Sequence, residues 1–91
     1  MAHIVTRIHV PDYDTWKGMF DQDQPRAREK ATRVRVLRSA DNPNEVVILL
    51  DFDSAEDAVE SRERLRASGV LDRFDDVTGP LVLEVAEDSG A

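Results

Sequence analysis

Polar and apolar residues alternate with a period of two in several segments of this chain, and apolar residues recur at helical spacing in two others. From His3 to Val10, one face carries Ile4, Thr6, Ile8 and Val10 and the other His3, Val5, Arg7 and His9, which predicts a strand. Pro11 has no amide hydrogen to donate and ends it. Asp12 then caps a helix with Tyr13, Trp16, Met19 and Phe20 along one stripe. Pro25 stops that helix, and Arg26 to Ala31 is expected to form one short further turn.

Alternation resumes from Arg33 to Ser39, with Val34, Val36 and Arg38 against Arg33, Arg35 and Leu37. Turn chemistry in Ala40 to Asn44 joins this strand to the run Val46 to Leu50 as a hairpin. That run is apolar on both faces: Val46, Ile48, Leu50 and Phe52 point one way, Val47 and Leu49 the other. Ser54 predicts the N-cap of a second helix from about Ala55 to Ala67, with Ala55, Ala58, Val59, Arg62 and Leu65 inward and Gly69 as its stop. Val70, Leu71 and Phe74 read as an apolar plug in an acidic connection. After a Thr78-Gly79-Pro80 turn, a last strand is expected from Leu81 to Ala86, and Glu87 to Ala91 as a frayed tail.

The order strand, helix, strand, strand, helix, strand predicts a single α+β domain over residues 1–91: a ferredoxin-like βαββαβ unit with a four-stranded antiparallel sheet. Right-handed crossovers put both helices on one face. The other face holds Val5, Val47 and Leu49, with either Val34 and Val36 or Leu37. Burying each large side chain there contributes roughly 1.5–3 kcal/mol, and leaving them together in water makes an interface-like patch. A face-to-face homodimer is the expectation.

Composition narrows the partners. With 41% hydrophobic and 34% charged residues the chain is an ordinary globular one. A net charge of −7 argues against nucleic acid and against an anionic membrane surface. Absence of cysteine removes disulfides, thiolate nucleophiles and zinc-thiolate sites. No apolar run approaches the ~20 residues of a membrane span, and Met1 to Val10 has no signal-peptide profile, so a cytoplasmic location is expected.

Two residues carry the candidate catalysis. Arg7 lies mid-strand, and a buried guanidinium needs a carboxylate or a bound anion. Asp51 and Glu84 have the matching parity, so Arg7 either belongs to a structural ion-pair network or faces a ligand oxygen. His9, with an ordinary pKa of about 6.5, suits acid–base work; the plainer reading is an exposed residue at a strand end. Tyr13, Trp16 and Phe20 are either core or the wall of a pocket for a planar ligand, and Leu49 and Asp51 complete that candidate binding set. His3 and His9, six residues apart, span nearly ~20 Å on a strand and cannot share a metal. Asp72-Arg73-Phe74-Asp75-Asp76 lacks calcium-loop register. Neither a metal nor a cofactor is expected.

The stretches Val10-Pro11-Asp12-Tyr13-Asp14-Thr15-Trp16-Lys17-Gly18-Met19-Phe20-Asp21 and Arg38-Ser39-Ala40-Asp41-Asn42-Pro43-Asn44-Glu45-Val46 resemble the dimeric α+β-barrel superfamily, in particular its small cyclase-like and antibiotic-biosynthesis-monooxygenase-like members. The resemblance runs from His3 to Val85. It implies two protomers whose sheets close into a shared barrel, each with a pocket between sheet and helices. The chemistry it implies includes cofactor-free oxygenation of aromatic polyketides, cyclisation of polyketide chains and haem breakdown. Many members carry a histidine soon after the Phe-Asp pair of the first helix, where this chain has Gln22-Asp23-Gln24. The expected function is therefore cofactor-independent handling of a small aromatic or polyketide-like molecule. The alternative is a non-catalytic binding or structural homodimer.

Overall fold

The computed structural model describes residues 1–22 and 26–90. Pro25, expected to stop the first helix, and Asp23 and Gln24 lie outside the described residues. The elements follow in the order β1 (Ala2–His9), α1 (Tyr13–Asp21), β2 (Arg33–Arg38), β3 (Glu45–Phe52), α2 (Ala55–Ser68), a 3-10 turn (Val70–Arg73) and β4 (Val77–Glu84). The four strands form an antiparallel sheet in the order β2-β3-β1-β4, the ferredoxin-like arrangement.

Local chemistry sets the helix ends where the sequence places them. The Asp12 carboxylate accepts the Thr15 amide at 3.0 Å and the Thr15 hydroxyl at 2.6 Å. Those bonds, the hydroxyl's first, hold the Asp12 carboxyl below the usual range. Ser54 Oγ accepts the Asp57 amide at 3.1 Å. Gly69 closes α2 in the left-handed region at φ 70°, which glycine enters without steric cost.

The sheet separates its residues cleanly. Ile4 and Ile8 of β1 and Val46, Leu50 and Phe52 of β3 form the core together with Trp16 of α1 and Ala58 of α2. Register decides the question left open for β2: Leu37 stands opposite Val47 and so lies on the open face, whereas Val34 and Val36 stand opposite Leu50 and Ile48 on the helix face. The inner face of α2 is a correction. Ala58 and Ser61 are its buried residues, while Val59 is exposed. A serine is tolerated inside because its hydroxyl donates to the Ala27 carbonyl, leaving neither group unpaired.

The last strand is a second correction. Thr78-Gly79-Pro80 is not a turn before the strand but part of it, and the strand ends at Glu84 rather than Ala86. The β1–β4 register shifts between Val5 and Arg7. At that point Gly79 adopts φ 95°, and a Cβ on it would lie 2.5 Å from the Val5 carbonyl oxygen. Only glycine lets the two backbones come so close. Pro80 is accommodated because β4 is an edge strand.

Candidate functional site

A cavity of about 160 Å³ lies between α1, the 3-10 turn and the helix-facing side of the sheet. α1 supplies Trp16, Met19 and Phe20, because its apolar stripe must turn toward the sheet. Ile8, Ile48 and Leu50 form the floor, with Thr6 as a polar interruption of β1. Leu65, Val70, Leu71 and Phe74 close the side next to α2, so the apolar plug noted in the sequence is a wall of this space. The other polar lining residues are Gln22, Arg28 and Arg73.

The aromatic row is stacked at one end and tilted at the other. The Trp16 and Phe20 rings are 5.0 Å apart between centroids at 29°, and Tyr13 and Trp16 are 5.8 Å apart at 49°. A guanidinium covers each end: Arg38 lies 4.0 Å from the Tyr13 centroid and Arg28 3.8 Å from that of Phe20. Arg28 also donates to the Phe20 carbonyl, and Arg38 Nε donates to the Pro43 carbonyl at 3.0 Å. Trp16 is only 7% exposed, and it and Phe20 both line the cavity.

Of the residues expected to bind a ligand, the structure brings Trp16 and Phe20 into the cavity. Tyr13 is not among its lining residues; it packs between Arg38 and Trp16, one step removed. Leu49 and Asp51 stand on the opposite side of the sheet, because the register puts them across from Val5 and His3. Arg7 and His9 share that open face with them and do not line the cavity.

Arg7 is fully engaged where it stands. Its Nη1 donates to Glu45 Oε1 at 2.6 Å, and its Nη2 to Asp76 Oδ1 at 2.8 Å and Thr78 Oγ1 at 3.2 Å. The bonds to Asp76 and then Glu45 raise the pKa of Arg7, and the same contact lowers that of Asp76. These partners replace the expected Asp51 and Glu84. Asp51 is four residue pairs further along the ladder, and Glu84, opposite Ala2, projects to the helix side. His9 is exposed.

A second cluster occupies the other end of the open face. His3 Nδ1 lies 2.7 Å from Asp51 Oδ1, and Arg35 Nη2 lies 3.5 Å from the same oxygen. The bond from His3 is the main cause that holds the Asp51 carboxyl below its usual range, against the opposing effect of burial; the Arg35 charge adds to it. His3 is thus half-buried and paired. Sequence reasoning missed Arg28 and Arg73 at the cavity. No periodicity marks either one, since both lie outside the long helices and the strands.

Comparison with protein-family models and with curated proteins gives no match. Solved structures do match over nearly the whole chain. Rv0793 from Mycobacterium tuberculosis aligns with a TM-score of 0.65 at 19% identity, covering 98% of this chain and 98% of that one. A protein from Nitrosomonas europaea that carries the name of an antibiotic biosynthesis monooxygenase aligns at 0.66 and 17%, covering 96% and 100%. SnoaB, a cofactor-independent oxygenase from Streptomyces nogalater, aligns at 0.63 and 16%, covering 99% and 97%. The chain accordingly shares with these structures its fold, the ferredoxin-like arrangement of a four-stranded antiparallel sheet and two helices.

Proposed function

We propose that this chain is a homodimer in which each protomer holds a small, mostly apolar, ring-bearing molecule between sheet and helices and acts on it without a cofactor, as a monooxygenase-like or cyclase-like enzyme. The carrying observation is the cavity walled by the stacked rings of Trp16 and Phe20. Flat apolar walls favour flat ligands. The likeness in fold to SnoaB and to the Nitrosomonas protein supports the reaction class. The open face supports the assembly: Leu37, Leu81 and Leu83 are each nearly half exposed on it, beside Val5, Val47 and Leu49.

Volume limits the ligand. An apolar cavity of about 150 Å³ holds one benzene ring, and this one measures about 160 Å³. A one-ring ligand fits as the walls stand, whereas a fused polyketide requires the 3-10 turn to move outward. The same figure favours a second reading, a binding or structural dimer without catalysis, since ligand pockets usually begin near ~300 Å³.

Trp16 is the single tryptophan of the chain, so its fluorescence reports on the cavity alone. Titration with one-ring phenols and with a three-ring phenol should quench it, the small ligands more strongly. Oxygen uptake by the bound phenol, followed with an electrode, separates the enzyme from the rival. Absence of any quenching, with no change in melting temperature, would overturn the reading.

A further inference from the structure

We infer that the ligand of the Trp16 cavity carries an anionic oxygen beside its ring, as an aromatic carboxylate or a comparably acidic phenol does. The inference rests on the reading of the cavity as a ligand site, and it begins from a separation of charge. The chain has 19 acidic and 12 basic residues. Yet the described residues lining the cavity include two arginines, Arg28 and Arg73, and no carboxylate.

The 3-10 turn and the residues after it produce this separation. Arg73 lines the cavity with Leu71 and Phe74, whereas Asp72 and Asp75 line a distinct groove shared with Arg66, Gly79 and Pro80. Acids adjacent in sequence thus sit on the far wall of the plug rather than beside the arginines. Arg28 lies over the Phe20 ring and donates to the Phe20 carbonyl, so it is already engaged at the edge of the aromatic wall. Arg73 makes no hydrogen bond or ion pair with the described residues. Cations elsewhere are committed to carboxylates, in contrast to Arg73: Arg7 to Glu45 and Asp76, Lys30 to Glu60, Arg64 to Glu29.

Arg73 therefore stands at the rim of an apolar space with a planar fork of donors that matches a carboxylate in two-point geometry. A neutral ring gains nothing from that fork. An anionic ring satisfies it while its apolar body covers Trp16 and Phe20.

The test compares benzoate with benzyl alcohol, two ligands of one ring and nearly one size, by Trp16 fluorescence and calorimetry on the full chain. Benzoate should bind about five- to tenfold more tightly, a charge-assisted contact discounted for an exposed arginine. Added salt should weaken benzoate and leave benzyl alcohol unchanged. In Arg73→Gln most of the preference should vanish while benzyl alcohol binds as before; Arg73→Lys should restore part of it. Equal binding of the two ligands overturns the inference and leaves the cavity reading standing. A preference that persists in Arg73→Gln overturns the assignment to Arg73. Failure of both ligands to bind removes the ligand site and this inference with it.

Discussion

One sheet here carries two faces that meet the same demand in different ways. On the helix side, Ile4, Ile8, Val46 and Phe52 are almost wholly buried under Trp16 and Ala58 of the same chain. On the open side, an apolar row of Leu49, Val5 and Leu81 runs across the strands, with an ion cluster on either flank. Arg7, Glu45 and Asp76 form one cluster, and His3, Asp51 and Arg35 the other. An apolar centre with a charged surround is a pattern that protein interfaces share. The covered face is finished by its own helices, while the open face is the one that the proposed homodimer would cover. This difference also separates the roles of the two faces, because the cavity opens on the helix side and the charged clusters lie on the other.

The largest effect should come from the finished face. Phe52→Ala empties a fully buried site and should lower the unfolding free energy by about 3–5 kcal/mol, read from urea titration. That loss should be the same at any protein concentration. Leu49→Glu probes the open face instead. It should raise the dimer dissociation constant at least about a hundredfold, since an unpaired buried carboxylate costs several kcal/mol. Sedimentation at micromolar concentration checks it, and a wild-type monomer, or a variant that stays dimeric, would break the comparison.

Smaller effects sharpen it. Ser61→Ala strands the Ala27 carbonyl inside the covered face and should cost about 1 kcal/mol in the same urea assay. The acid limb of the stability curve belongs to the open face. Asp51 has a folded pKa below its ordinary 3.8, so its contribution is complete above that value and is lost as the pH falls through the lower folded one. Unfolding measured between about pH 5 and pH 2 should show this decline, and Asp51→Asn should flatten it. An unchanged acid limb in that variant would assign the decline to other carboxylates.

Much of the fold was legible because it is written in short-range terms. Asp12, Ser54 and Gly69 mark helix ends through bonds or dihedrals that span three or four residues, and each acts as its position suggests. The start of β4 was hidden for the opposite reason. Gly79-Pro80 carries a local turn signal, but pairing with β1 across some seventy residues overrides it. The burial of Ser61 has no local signal either, because it depends on the Ala27 carbonyl from a distant segment. At the site, the helical stripe disclosed Trp16 and Phe20. It placed Tyr13 with them, although the stack leaves that ring outside the cavity lining. Parity put Arg7 on the open face correctly but could not choose its partners, which depend on where Asp76 arrives before β4.

Residue order alone determined the alternation of strands and helices, the capped helix ends and the two-sided hydrophobicity of β3, because these follow from spacing and neighbouring side chains. The tertiary structure decided everything that depends on register and on returning loops. It placed Leu37 rather than Val34 and Val36 on the open face and moved Leu49 and Asp51 away from the cavity. It also carried Arg28 and Arg73 to an apolar space whose remaining walls come from four other elements. Such meetings are set by the packing of segments distant in sequence, and no local pattern encodes the distance between them.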